Sequence, residues 1–262
     1  MKRRHWIVAG VAAWALVVGV LAYYSYRNDH PTSREQTTIA DALPTMDTAL
    51  GRVHAALDPA TTVSVLGGYT RTERSCRVTS AREGTRFERV LIVYTKKDQE
   101  PAVLDRVKSA LPAGYGASVT HTASSHVLNA DAGGFVAMRG GVTAPGTVRF
   151  TVDSGCRVQD KAVTEAIPPS ESANRAPVQA VLDTLGQSAE SWSTHRLTCQ
   201  SGGTLWTVEA TAPGDAAKAR TTVPPAAVVL DDPKVFAYRA GAAGVSIRTG
   251  DGELVITSTA GC

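Results

Sequence analysis

Hydrophobic and polar positions divide the chain into an apolar start, a short polar stretch and a long patterned remainder. Trp6 to Tyr24 is a run of 19 residues without a charge. As a helix it would be about 28 Å long, close to the ~30 Å hydrocarbon core of a bilayer. Asn28 to Thr38 is polar, contains Pro31 and reads as a tether. Beyond it, Ile39, Leu43, Met46, Leu50, Val53 and Leu57 recur at four- and three-residue steps, one face of an amphipathic helix. Pro44 fits only in the first turn of that helix, and Asp58-Pro59 ends it. Gly67-Gly68 reads as a turn before a strand carrying the first cysteine.

Phe87 to Thr95 is apolar on both faces and belongs inside a sheet. A second helix is expected from Pro101 to Leu111, with Pro at its first position and Val103, Val107 and Leu111 on one side. Strands near 117–122, 135–139 and 147–152 follow. The resulting order, α-β-β-α-β-β-β, predicts an antiparallel sheet with helices on one face. Residues 157–176, with Pro168-Pro169, form an expected linker. A further helix is expected from Pro177 to about Glu190, then a less regular stretch in which 215–220 could turn helical and Pro224-Pro225 forces extension.

The two patterned regions resemble each other around their cysteines. FVAMRGG and TVRFTVDSGC precede Cys156; VFAYRAG, VSIRTG and ELVITSTAGC precede Cys262. RTERSCRV around Cys76 resembles STHRLTCQ around Cys199. Such self-similarity predicts a tandem duplication, residues 39–156 and 177–262. It pairs Cys76 with Cys156 and Cys199 with Cys262, one bridge per repeat. The expected fold class is α+β: an N-terminal transmembrane helix followed by two tandem disulfide-stapled domains, each an antiparallel sheet with one or two helices on it.

Lys2, Arg3 and Arg4 before the apolar run predict a cytoplasmic N-terminus, with Trp6 and Tyr23, Tyr24 and Tyr26 at the two interfaces. The run exceeds the ~7–15 residues of a signal-peptide core, which favours a retained anchor over residues 1–27. The alternative is secretion after cleavage near Ala22. Four cysteines, all beyond this segment, agree with an oxidising compartment. Setting aside Lys2, Arg3, Arg4 and Arg27, the remainder holds 23 basic against 24 acidic residues. A nucleic-acid binder would carry a clear basic excess, so nucleic acid is not an expected partner. Ala, Gly, Thr and Val dominate, as in a high-GC bacterial coding sequence.

Catalytic signatures are missing: there is no H-E-x-x-H, G-x-S-x-G, S-x-x-K or phosphate-loop Gly-Lys. Asp153-Ser154-Gly155 resembles the Asp-Ser/Thr-Gly turn of aspartic proteases. That chemistry needs two carboxylates sharing a proton, and the internal repeat places Thr259 opposite Asp153. A turn aspartate beside a disulfide is the better reading. His121 and His126 are five residues apart, which fits neither one helix face nor one strand face. His54 borders the first helical stripe, and His195 precedes Cys199 without an identifiable partner. No catalytic residue, metal site or cofactor is assigned.

Arg71, Arg74, Arg77, Arg86 and Arg89, with Arg82 nearby, form a candidate anion-binding group, guanidiniums suited to carboxylates or phosphates. Glu73, Glu83 and Glu88 are interleaved, as ion pairs on a solvated sheet face would require. The first helix could also serve as a dimerising stalk, although its apolar rhythm is short for a coiled coil. The function expected from all this is a membrane-anchored extracytoplasmic binding or assembly module of a bacterial cell envelope. Its partners would be the membrane and an envelope protein or anionic polymer. The alternatives are an envelope hydrolase with a site assembled from both repeats, Asp153, His121, His126 and His195 being the first positions to test, or a ligand sensor acting through a membrane partner.

Overall fold

Residues 2–28, 37–72, 76–79, 82–165, 171–250 and 252–262 are described by the computed structural model. They belong to two compact units, Met1–Gln36 and Thr37–Cys262. Most of the expected tether, Arg74 and Pro168-Pro169 lie outside the described residues. The first unit is helix α1 (Lys2–Asn28). Its stretch His5–Ser25 spans 21 residues with a mean hydropathy of 2.1 and has no buried share. Trp6, Trp14 and Leu21 are all exposed. An apolar surface of this length suits lipid, so α1 is a candidate membrane span or signal segment.

The second unit begins with helix α2 (Ile39–Ala56). Its N-terminus carries a capping box. Thr38 Oγ1 accepts from the Asp41 amide at 3.3 Å, and Asp41 Oδ2 accepts from the Thr38 amide at 2.8 Å. Pro44 sits in the second turn and not the first, where it deletes one backbone bond that the buried face compensates. Ile39, Met46, Leu50 and Val53 are buried, which places the apolar stripe against the sheet and leaves no stalk face.

The chain then forms β1 (Val63–Arg71), a small hairpin of β2 (Cys76–Arg77) and β3 (Glu83–Gly84), and β4 (Phe87–Tyr94). Helix α3 (Glu100–Ala110) follows, then β5 (Ser118–His121), β6 (His126–Asp131), β7 (Ala137–Ala144) and β8 (Thr147–Asp153). Next come α4 (Glu171–Leu185), β9 (Ser191–Thr198), β10 (Thr204–Pro213) and α5 (Ala217–Thr222). Strands β11 (Val228–Asp232), β12 (Val235–Ala240), β13 (Ala243–Gly250) and β14 (Glu253–Ala260) end the chain.

Two six-stranded antiparallel sheets result, ordered β1-β4-β8-β7-β6-β5 and β9-β10-β14-β13-β12-β11. Counted along the chain, both orders are the same. The disulfides Cys76–Cys156 and Cys199–Cys262 occupy matching places, each joining the end of the first strand's exit to the end of the last strand.

Several local expectations need correction. Gly67-Gly68 is not a turn but lies inside β1 at a bulge between Leu66 and Tyr69. Strand β1 ends before Cys76, which sits in the small hairpin instead. Strand β6 was not expected; its short polar-rich sequence is held by neighbours on both sides. Phe135 lies in the preceding turn with φ 64°, so β7 starts two residues later than its apolar pattern suggests. Helix α4 starts six residues before Pro177. The start of the expected linker is ordered against the first half, with Arg157 bridged to Thr85 and Val158 to Thr38.

Helices α2 and α3 cover one face of the first sheet, around Leu91, Phe150 and Leu128, and that core also takes in Leu197 and Leu205 of the second half. Helices α4 and α5 cover one face of the second sheet, around Val208, Ile247 and Ile256. The other face of the second sheet meets the first half. There Val63, Val65 and Tyr94 pack on Val229, Leu230 and Ala237. Beside them is a buried hydroxyl layer, with Thr207 Oγ1 2.7 Å from Thr259 Oγ1 and Ser246 Oγ 2.6 Å from Thr257 Oγ1. The Leu66 amide, at the edge of the bulge, donates to Thr207 Oγ1 at 3.1 Å.

The covalent loops enclose sequence separations of 80 and 63 residues. Replacing either cysteine pair by serine is expected to lower unfolding free energy by about 4 kcal/mol through the freed denatured chain. Urea midpoints of C76S/C156S and C199S/C262S proteins measure this; an unchanged midpoint would show that other contacts already restrict the denatured chain.

Candidate functional site

Two polar constellations lie between the halves. The first is centred on Arg89 of β4, whose period-two neighbours Phe87, Leu91 and Val93 are all buried. Alternation therefore places Arg89 on an apolar face, and its side chain is 0% exposed. A guanidinium has five N–H donors, and here each has an acceptor. Nε donates to Gly67 O at 3.1 Å. Nη1 donates to Asp47 Oδ1 at 2.5 Å and to the Tyr69 hydroxyl at 3.2 Å. Nη2 donates to Glu165 Oε1 at 2.6 Å and to Arg196 O at 2.7 Å.

The partners extend the network. Tyr69 donates to Asp47 Oδ1 at 2.5 Å, and its ring centroid lies 4.3 Å from the Arg89 guanidinium carbon. Burial pushes the Tyr69 phenol up, so it stays a donor. Glu165 uses its second oxygen for His195 Nδ1 at 2.7 Å. A Cβ on Gly68 would come within 2.8 Å of the His195 ring, so the bulge admits this imidazole only beside glycine. The network joins α2, the β1 bulge, β4, the segment after β8, and β9. It is closed and satisfied, the arrangement of a brace.

The second constellation lines a cleft of about 710 Å³ between the end of α2, the start of β1, and the β12–β13 and β14 ends of the second half. His54 Nδ1 lies 3.1 Å from Ser64 Oγ. Burial, and then the positive charge of Arg239, hold the His54 imidazole below the ordinary histidine range. Burial also lowers the Arg239 guanidinium, whose Nη2 donates to Ala242 O at 2.7 Å. Thr62, Gln200, Ser201 and Thr259 add polar groups, while Leu57, Pro59 and Leu205 add apolar wall; the terminal residue Cys262 also lines the cleft, and among the described residues no aspartate or glutamate side chain does.

The expected arginine group falls at the end of the β1–β4 pair, where Arg71 stands opposite Phe87 and next to Arg86, with Arg77 in the small hairpin. Arg71 and Arg77 are exposed, Arg74 is outside the described residues, and Arg86 pairs with Asp153 at 3.4 Å. Arg89 is withdrawn from it altogether, because its charge and all its donors are used internally. Asp153 accepts from the Gly155 amide at 2.7 Å, and the buried Ser154 hydroxyl bonds the Phe87 amide and Gly155 O, so this turn is structural. His121 and His126 face each other across the β5–β6 hairpin, Nδ1 to Nδ1 at 2.8 Å, with Asp105 at 3.2 Å from His121 Nε2. Among the described residues, no group of three or more His, Cys, Asp or Glu side chains could hold a metal ion. Sequence reasoning missed Ser64, Arg239, Asp47 and Glu165. Only Arg89 carried a signal, its place in the alternation of β4.

Neither protein-family models nor curated proteins give a match to this chain.

Arg89→Met would leave Asp47 and Glu165, whose side chains are 27% and 16% exposed, without their cation, an expected loss of about 2–3 kcal/mol in urea unfolding, less than for a fully buried pair. A loss below about 1 kcal/mol would mean that the carboxylates regain water freely. For His54, the folded value lies below the unfolded value of about 6.5. As pH falls through that value the unfolded chain binds the proton first, so stability declines toward acid and levels off below the folded value. His54→Gln should flatten this part of the pH profile; superimposable slopes for both proteins would refute it.

Proposed function

We propose that this protein is a membrane-tethered extracytoplasmic binding or assembly module of a bacterial cell envelope, without catalysis of its own. The apolar helix and the two disulfides support an exported, anchored unit. The N-terminus is read as cytoplasmic and Thr37–Cys262 as outside; cleavage near Ala22 would give a secreted form of the same unit. The shared strand order and the matching disulfides support descent of the halves from one duplicated unit. Its partner is read as an envelope protein or an anionic envelope polymer.

The observation that carries the binding reading is the cleft between the halves, large enough for a small ligand or a chain end. A second reading, a hydrolase, draws on one distance: Ser64 Oγ is within hydrogen-bond reach of His54. In a serine hydrolase the histidine becomes imidazolium during attack and needs a carboxylate behind it. The charged group that acts on His54 is Arg239, which disfavours imidazolium. Binding is therefore the better reading of the same residues.

Crosslinking in native envelopes tests the proposal, using the full chain and a cysteine-free chain as misfolded control. A partner captured only by the folded chain, together with a C-terminal reporter active only outside the membrane, is the expected result. A cytoplasmic reporter signal would overturn it. A fluorophosphonate probe should leave Ser64 unlabelled; labelling abolished by Ser64→Ala would move the assignment to the hydrolase.

A further inference from the structure

We propose that the cleft between the halves binds a small organic anion, an acidic head on an apolar body, with Arg239 as its counter-charge. This deepens the binding-module reading and rests on it.

Five arginines of the folded unit have carboxylate partners; among those that bond backbone carbonyls instead, Arg157 is closed in with two of them, Ser154 O and Gly134 O, whereas Arg239 lines an open cleft. Arg86 meets Asp153, Arg89 meets Asp47 and Glu165, Arg106 meets Asp58, Arg220 meets Asp231, and Arg248 meets Glu209. Arg239 is half-buried, points one nitrogen at Ala242 O, and has no acidic group within ion-pair reach among the described residues. A partly desolvated guanidinium without a counter-charge is a costly arrangement that an incoming anion relieves.

The walls define what else the ligand carries. Thr62, Ser64 and Thr259 offer hydroxyl donors, and among the described residues no aspartate or glutamate side chain lines the wall; the terminal residue Cys262 also lines it, but the charges that act on His54 and Arg239 do not include its carboxylate. Leu57, Pro59 and Leu205 offer an apolar bed for the body of the ligand. At about 710 Å³ the cleft is in the range of small-molecule sites. Its residues come from both halves, so the site exists only when they are docked.

His54 couples this site to pH. The groups facing it are Ser64 from β1 and Arg239 from β12, and its own helix adds no carboxylate to the cleft wall. A bound anion supplies the negative charge that the imidazolium lacks in the empty cleft, so binding takes up a proton. Affinity then rises as pH falls from about 7.5 toward about 5.5, by at most about tenfold per pH unit for one proton.

The test uses the full chain in phosphatidylcholine nanodiscs, titrated calorimetrically with benzoate and with benzamide, its neutral counterpart. Benzoate should bind at least about tenfold more tightly than benzamide, as expected for a charge-assisted contact. Arg239→Gln should remove that preference and Arg239→Lys should retain part of it. His54→Gln should flatten the pH dependence of benzoate binding. Thermal melts confirm that each variant is folded. Equal affinity for benzoate and benzamide, benzoate binding that survives Arg239→Gln, or no binding of benzoate at tens of millimolar overturns the proposal. Those results leave the tethered module standing, because partner capture and orientation judge that separately. A failed capture with anion binding intact would sink the module alone.

Discussion

A guanidinium cut off from water must find counter-charge and five acceptors inside the protein, and Arg89 finds them on four other chain segments. Asp47 fixes the roll of α2, the Gly67 carbonyl requires the bulge in β1, and Glu165 pins the chain leaving β8. The Arg196 carbonyl sets the position of β9. Each contact alone is modest, but the charge makes them conditional on one another. A different packing of the halves would strand a cation or two carboxylates, and that penalty selects this arrangement over near alternatives more than it adds stability.

The hydroxyl layer on the second sheet works in the same way without charge. Thr207, Thr259, Ser246 and Thr257 satisfy each other in pairs, and Thr207 also takes the Leu66 amide freed by the bulge. The junction thus sets a partnered hydroxyl layer beside an apolar patch, and the polar pairs fix register between two sheets that share a strand order.

Much of the secondary structure was legible because period and punctuation agree. The stripe of α2, its Asp58-Pro59 stop, the buried β4 and the proline-led α3 all stand close to where their patterns place them. The likeness of the sequences around the cysteines selects the pairing that the structure has. What could not be read arises where tertiary contact overrides local pattern. Alternating apolar and hydroxyl residues in β13 and β14 look like half-exposed strands, yet both faces are covered. Gly67-Gly68 looks like a turn, but it opens space for His195. Arg89 was grouped with neighbouring arginines as a candidate anion-binding cluster because they crowd one hairpin, although its apolar flankers place it inward. The cleft was invisible for a plainer reason: His54, Ser64 and Arg239 share no motif and meet only through the docking of the halves.

The two disulfides enclose residues 76–156 and 199–262, which include the tips joining β5 to β6, β7 to β8, and β12 to β13. A protease that nicks the chain at any of these tips releases no fragment, since both cut ends remain on the same covalent ring. Severance needs a cut between residues 157 and 198 or ahead of Cys76, and the partners of Arg89 in the brace, Asp47, Gly67, Tyr69, Glu165 and Arg196, all lie in those unringed stretches. The brace therefore fastens by non-covalent means parts of the stretches that the sulfur bonds leave open, so that a nick near Asp47 or Glu165 would free an end still held by the Arg89 charge.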